Sequence, residues 1–306
     1  MEKIDIICVG EVLIDFIGMQ TDENLVHTTS FRRFLGGSPT NVAVNAAMIG
    51  MKSALVATCG QDSLGLYIVD ELHKHGVKPW CLRSTPHKPT STILVSRTTE
   101  TPDFIAYREA DGDILEEQLP DEMLKEATIF HTSCFALSRN PARDTILNRA
   151  ARAKELGLTL SVDINYSEKI WPETQEAIQV IQQFLSFDPL VKISEDDCLR
   201  LFKSHKTEEF IFDYFHGQGA STICLTKGKN GVVVSDLHHG LIRQPAQEVK
   251  TVIDATGAGD AFWTGFLYST LKKWDLERCV LTAQKLASIK IQHMGRLPEK
   301  IDLESL

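Results

Sequence analysis

The 306-residue sequence has few of the patterns that most readily assign a function. It holds no G-x-x-x-x-G-K-[ST] loop, so a Walker A phosphate site is excluded. It has no G-x-G-x-x-G after its first strand, which counts against a dinucleotide-dependent oxidoreductase. Its ten histidines form no H-E-x-x-H, and His73 and His75 stand two apart, so they do not share a helix face. The seven cysteines, at 8, 59, 81, 134, 198, 224 and 279, include no C-x-x-C pair. An odd, scattered set reads as small buried hydrophobes in a reducing compartment, not as a disulfide framework or a zinc site. No apolar run approaches the roughly 18 residues of a membrane span. Glu2, Lys3 and Asp5 leave residues 1–9 too polar for a signal peptide. Basic residues are outnumbered 32 to 41, giving a net charge of −9. A surface of that sign repels nucleic acid and anionic membranes, so neither is an expected partner. The expectation is a soluble cytoplasmic protein.

What is present points to a packed α/β domain. Apolar residues make up 43% and charged residues 24% of the chain, which suits a globular core. Short β-branched runs at 4–9, 53–57, 129–131, 159–162, 190–193 and 222–225 read as buried strands. Between and after them, helical patterns cover 40–48, 62–75, 142–156, 173–186, 195–203, 258–272 and 276–293. This alternation predicts a mainly parallel sheet with helices on both faces. Residues 12–34 and 92–114 break the rhythm and read as β-hairpins outside that sheet. With no linker, repeat or low-complexity stretch, one domain over 1–306 with a small β appendage is expected.

Three constellations carry candidate chemistry. The first is Asp254-Ala255-Thr256-Gly257-Ala258-Gly259-Asp260, leading into an apolar helix. Small residues let the backbone turn and approach a ligand, and the N–H groups at a helix start make an anion site. A carboxylate inside such a site, Asp260, suits proton abstraction from a hydroxyl beside a phosphate; the plain alternative is a glycine-rich turn whose Asp caps a helix. The second is Gly36-Gly37-Ser38-Pro39-Thr40-Asn41, where Asn41 offers both donor and acceptor to a polyhydroxy ligand. Asp15 could accept hydrogen bonds from sugar hydroxyls, or be a solvated loop acid. The third is Thr226-Lys227-Gly228-Lys229-Asn230-Gly231 after a strand, which reads equally as a nucleotide loop or a hairpin turn.

In this order and spacing the segments resemble the ribokinase-like (PfkB) carbohydrate kinases over about residues 4–298. One signature is matched by Gly36, Gly37, Pro39, Asn41, Gly60, Asp62 and Gly65. The other is matched by Asp254, Thr256, Gly257, Ala258, Gly259, Asp260, Phe262 and Gly265, and Gly10–Asp15 looks like the family's first strand with its sugar-binding Asp. The resemblance implies a three-layer α/β/α sandwich, with residues 12–34 and 92–114 as a lid through which two copies could pair. It implies an ATP- and Mg²⁺-dependent sugar kinase in which Asp260 is the base and Gly257, Ala258 and Gly259 form the anion hole. Asp254 matches a position that helps hold a monovalent cation such as K⁺, or else braces the turn. Lys192, Ser194, Thr226, Lys227, Gly228, Gly231 and Gln284 would border the nucleotide, and Asp197 would hold Mg²⁺ through water. The sugar side would comprise Asp15, Gly36, Gly37, Asn41, Tyr107, Arg108, Asp163 and Asn165.

Departures from the family pattern bear on substrate. The N-x-x-E segment of the family is here Ser194-Glu195-Asp196-Asp197. Asp163-Ile164-Asn165-Tyr166-Ser167 resembles a stretch of fructokinase-like and keto-deoxygluconate kinase-like members that carry Arg where Ser167 stands. With Arg108 as the remaining cation, a neutral ketose, fructose above all, is expected over an acidic sugar. Keto-deoxygluconate kinase and ribokinase are the enzymatic alternatives, and a sugar- or nucleotide-binding regulator the non-enzymatic one.

Overall fold

The computed structural model describes residues 3–97, 103–298, 301 and 303; residues 98–102 of the expected lid lie outside the described residues. In chain order the strands and helices are β1 (Ile4–Val9), β2 (Leu13–Thr21), β3 (Phe31–Gly36), α1 (Ser38–Met48), β4 (Ser53–Gly60), α2 (Ser63–Lys74), β5 (Lys78–Thr85), β6 (Thr92–Arg97) and β7 (Phe104–Tyr107). They continue with α3 (Asp121–Lys125), β8 (Ala127–Ser133), α4 (Ala142–Glu155), β9 (Thr159–Asp163), α5 (Thr174–Leu185), β10 (Leu190–Ser194), α6 (Glu195–Phe202) and α7 (Glu208–Gly217). The last are β11 (Thr222–Thr226), β12 (Val232–Asp236), β13 (Gly240–Gln244), α8 (Ala258–Leu271) and α9 (Leu276–Ile291).

Nine strands form one sheet in the order β13-β12-β11-β10-β9-β8-β1-β4-β5. All pairings are parallel except those of β12 with β11 and β13. Strands buried on both faces supply two cores. On β4, Ala54 and Val56 face one helical layer, where Ile146, Phe184, Leu201 and Phe215 pack from α4 to α7. Leu55 and Ala57 face the other, with Val42, Ile68, Trp263 and Leu286 from α1, α2, α8 and α9. The period of two along each strand thus builds the three-layer sandwich.

The two segments that broke the rhythm form a second sheet, β3-β2-β6-β7. Each is an antiparallel hairpin, and parallel pairing of β2 with β6 joins them. The entry to β6 is fastened at Thr90, whose N–H donates to Asp62 Oδ2 at 2.8 Å. Asp62 Oδ1 meanwhile caps α2 by accepting from the N–H groups of Leu64 and Gly65. A Cβ on Gly65 would lie 2.0 Å from Gly60 O, so the Gly60, Asp62, Gly65 pattern serves this tight packing.

Some elements escape the sequence reading. Strands β5, β12 and β13 and helices α3 and α7 were not expected. Residues 226–231 form the turn of the antiparallel β11–β12 hairpin, through a 3-10 turn at Gly228–Asn230.

Candidate active site

The site lies where the carboxyl ends of β9, β10 and β11 meet the first turns of α1 and α8. Helix α8 starts at Gly257, whose φ of 73° is the left-handed conformation that glycine adopts at low cost. Ala258 N–H donates to Ala255 O at 3.1 Å and closes the turn. Gly259 and Asp260 then occupy helix-start positions, whose N–H groups no helix carbonyl takes. A Cβ on Gly259 would stand 2.9 Å from Lys192 Nζ, so the bare backbone lets that ammonium approach the turn.

Asp260 is buried in the first turn of α8. Its Oδ1 accepts from Ser38 Oγ at 2.7 Å and its Oδ2 from Asn41 Nδ2 at 2.9 Å. Both donors come from the first turn of α1, which explains why the glycine-rich segment and the G-x-G-D segment belong to one site. Asn41 is itself held: Arg296 Nη1 donates to Asn41 Oδ1 at 3.0 Å, and Arg296 Nη2 donates to Leu35 O at 3.0 Å. Because guanidinium only donates, the Asn41 amide must turn its NH₂ toward Asp260. Burial raises the Asp260 pKa, opposed by the Lys192 charge and the two hydrogen bonds.

Lys192 and Asp163 face each other across the parallel β9–β10 pairing. Nζ donates to both carboxylate oxygens, at 2.9 and 2.8 Å. Burial works against the Lys192 charge, but the carboxylates of Asp163, Asp197 and Asp260 outweigh it and raise its pKa. Ser38 Oγ lies 3.5 Å from Asp163 Oδ2, so one hydroxyl touches both acids.

Asp15 projects from β2 toward Gly36 on β3. A Cβ at Gly36 would lie 2.2 Å from Asp15 Oδ2, so only glycine leaves room for that carboxylate. Burial pushes the Asp15 pKa up to about 7, against the Arg296 charge and with help from Asp260. Gly37 passes close to Glu11, and Glu11 itself is buried. Its carboxylate accepts from Ser38 N–H at 2.9 Å and Ser133 Oγ at 2.7 Å, anchoring the start of α1.

A cleft of about 470 Å³ opens beside Asp15, walled by Ile93, Val95, Phe104, Phe135, Asn165 and Lys169. Asn165 Oδ1 accepts from Phe135 N–H at 3.0 Å. Tyr107 ends β7 with 57% exposure. Arg108 turns into the body of the protein. Its Nε and Nη2 donate to Asp111 Oδ2 at 2.8 and 2.5 Å, Nη1 donates to Ser138 Oγ and Phe135 O, and its guanidinium stacks on the Phe135 ring.

On the other side of Lys192, Ser194 caps α6 in a reciprocal box with Asp197. Asp197 Oδ2 accepts from the Ser194 N–H, and Oδ1 pairs with Arg200 at 2.6 Å. Thr226 Oγ1 donates to Ile193 O at 3.5 Å, and Lys227 pairs with Glu208 at 2.8 Å and Glu195 at 3.3 Å. Gly228 and Gly231 shape the hairpin turn. Gln284 Nε2 donates to Pro245 O at 2.9 Å, while its buried Oε1 meets no partner among the described residues. Asp254 Oδ1 accepts from Thr256 N–H at 3.0 Å and Oδ2 from Gly295 N–H at 3.1 Å.

Sequence reasoning named both acids and both glycine-rich turns but missed Glu11, Ser38, Lys290 and Arg296. Ser38 lay inside a motif it quoted. Arg296 gave no signal, because an arginine after the last helix reads as solvated.

The sequence profile of the pfkB family carbohydrate kinases matches residues 3–300. The chain belongs to the pfkB family of carbohydrate kinases. An ATP-dependent 6-phosphofructokinase of Thermoanaerobacterium thermosaccharolyticum is 30% identical over 306 residues, covering 100% of this chain and 93% of that protein. The solved fructokinase of Halothermothrix orenii is similar at a TM-score of 0.81 and 32% identity, covering 97% of this chain and 100% of that one. The sugar kinase PH1459 of Pyrococcus horikoshii in complex with ATP gives a TM-score of 0.85 at 26% identity, covering 98% and 96%. As a pfkB kinase the chain is a sugar phosphotransferase using ATP, on the ribokinase-like sandwich that the sequence led us to expect. Among the described residues no helix is long and apolar enough to cross a membrane.

Proposed function

We propose that this kinase phosphorylates a neutral ketose, D-fructose first among them, with Asp260 as the base. The observation that carries the base is the Asp260 carboxylate, buried at the start of α8 with its two oxygens held by Ser38 and Asn41. A sugar hydroxyl placed against it loses its proton to Asp260 as its oxygen bonds to the γ-phosphorus, and the bond from that phosphorus to the ADP oxygen breaks. A base raised by burial takes that proton more readily than an ordinary aspartate would. The N–H groups of Gly257, Gly259 and Asp260 stabilise the charge that grows on the transferred group, and Lys192 adds a positive charge beside them. Mg²⁺ bound with ATP would neutralise phosphate charge. Both Asp197 oxygens already have partners, so this acid would reach the ion only through water. Thr226, Lys227, Gly228, Gly231 and Gln284 border the nucleotide in this reading.

The preference for a neutral sugar rests on Arg108. Its guanidinium is committed to Asp111, so Arg108 is not free to take a sugar carboxylate, and Ser167 carries no charge. A second reading, a phosphorylated ketose, is favoured by the 6-phosphofructokinase relative; Lys169 and Arg200 stand on the cleft wall but are paired with Asp103 and Asp197, so they would have to exchange partners to take a phosphate. The test is kcat/KM with MgATP for fructose, fructose 6-phosphate, ribose and keto-deoxygluconate. Preference for fructose supports the proposal, preference for fructose 6-phosphate selects the second reading, and preference for the acid overturns both.

The domain reading is a single kinase unit whose second sheet is the lid. Met19, Ile105 and Tyr107 on that sheet, and Val26 in the loop between β2 and β3, expose apolar surface, which supports a homodimer through the lid, testable by light scattering. Seven buried, unpaired cysteines support residence in a reducing cytoplasm.

A further inference from the structure

Lys290 sits in the last turn of α9 with its side chain only 4% exposed. It runs inward, toward the turn that starts α8. Its Nζ lies 3.6 Å from Asp254 Oδ2 and donates to His293 O at 3.4 Å. A Cβ on Gly257 would lie 3.7 Å from Lys290 Cε, so the charged end of the side chain runs alongside the first residue of the phosphoryl cradle. Lys290 also borders a small cavity shared with Asp15, Asn41, Thr256, Gly257 and Arg296.

The resemblance to ribokinase-like enzymes assigns Asp254 to a monovalent cation, and the residues present do not fit one. The two Asp254 oxygens accept from Thr256 N–H and Gly295 N–H, and Oδ2 faces a fixed ammonium. An ion within ligand distance of Oδ2 would meet that ammonium, and like charges repel strongly in a buried, poorly screened site. A lysine in the last turn of a helix is ordinary on a surface, where it complements the helix dipole. A buried one beside an anion-binding turn carries its desolvation cost for some other return.

We propose that Lys290 is the built-in monovalent cation of this kinase. Its tethered ammonium balances Asp254 and lends a single positive charge to the Gly257 turn, so turnover does not depend on K⁺. The inference rests on the reading of Gly257, Gly259 and Asp260 as the phosphoryl cradle.

The test titrates K⁺ from zero to about 0.1 M against choline chloride at constant ionic strength, which keeps screening unchanged. Turnover and melting temperature are both read, for the wild type, Lys290→Ala and Lys290→Arg. The wild type should change by less than about twofold in turnover, and its melting temperature should not respond to K⁺ beyond the choline control. Lys290→Ala should lose about 10- to 100-fold in turnover without K⁺ and regain much of it as K⁺ enters the vacated volume. Its melting temperature should rise with K⁺ in parallel, a binding signal independent of catalysis. Lys290→Arg should stay indifferent to K⁺. Stimulation of the wild type beyond about fivefold, or full turnover of Lys290→Ala without K⁺, overturns the proposal. If Lys290→Ala does not fold, the wild-type and Lys290→Arg titrations still decide. A fully active Gly257→Val would remove the cradle reading while leaving the melting result to stand or fall by itself.

Discussion

Asp260→Asn exchanges one carboxylate oxygen for an amide nitrogen at a position where both oxygens have partners. The geometry accommodates the exchange. Asn41 cannot flip, because Arg296 holds its Oδ1, so the remaining oxygen at 260 must face Asn41 Nδ2. The new NH₂ then faces Ser38 Oγ, which can accept while its own hydrogen turns to Asp163 Oδ2, 3.5 Å away. Ser38 Oγ meets one hydrogen of that NH₂ and the other gains no partner, a cost of at most about 1–3 kcal/mol. The change in charge works the other way. Burial sets the folded pKa of Asp260 above its unfolded value. The folded state therefore binds this proton more tightly, and stability falls as pH rises through the folded pKa. Above the folded pKa the ionised wild type bears that cost and the amide does not, so the two effects offset and the variant should melt within about five degrees of the wild type. Turnover should fall by about 10²–10⁴, the worth of a general base. That loss corresponds to about 2.7–5.5 kcal/mol in the barrier. A coupled assay for ADP gives kcat, calorimetry gives sugar and ATP affinity, expected within a few fold of wild type, and scanning fluorimetry gives the melting temperature. Wild-type kcat would remove Asp260 from the chemistry. A collapse in melting temperature would refute the hydrogen-bond rearrangement.

Other outcomes follow from the same geometry. Gly36→Ala drives a methyl group onto Asp15 and should raise the sugar KM by at least about tenfold, the loss of one charge-assisted hydrogen bond, with ATP KM unchanged. With the Asp15 pKa near 7, sugar KM should rise as pH falls below that value, because a protonated carboxyl loses acceptor capacity; Asp15→Asn should flatten the profile. Arg296→Met leaves Asn41 Oδ1 and Leu35 O without their donor, so it should lower the melting temperature by several degrees and kcat by about tenfold, and a change in neither would show that the clamp is idle. Arg108→Lys should lower thermal stability by breaking the fork on Asp111 yet leave sugar KM within about twofold, whereas a large KM effect would return Arg108 to the sugar side.

The parts of the site legible in the sequence were those written as local backbone chemistry. Gly257-Ala258-Gly259-Asp260 announces a tight turn opening a helix, and Gly36 and Gly37 announce close approach, because glycine has few other uses at such spacing. The groups that complete the site are single charges whose burial is decided by distant packing. Glu11 is enclosed because α1 and β8 close over it, Arg296 because the segment after α9 folds back onto β3, and Lys290 because its helix face turns inward. None of these can be told from a solvated charge by neighbours in sequence. Arg108 is the converse case, a residue whose motif suggested a ligand and whose partner, Asp111, is three positions away. The fold was legible where strands are apolar runs between helices. It was not legible at β12 and β13, where Gly231 and Gly240 cut the pattern into five-residue pieces, nor at α7.

The hairpin of β2 and β3 runs directly into α1, so Asp15, Gly36, Ser38 and Asn41 lie on one short stretch of backbone. Asp15, the proposed sugar ligand, and the two residues that hold Asp260 are therefore mechanically linked, with β6 and β7 bonded to the same sheet. A displacement of this sheet would carry Ser38 and Asn41 with it, because strand β3 passes into α1 without a break. A pull on the sheet is in this way passed to the holders of Asp260 through the covalent chain itself, along residues 31–41 that are first strand β3 and then helix α1.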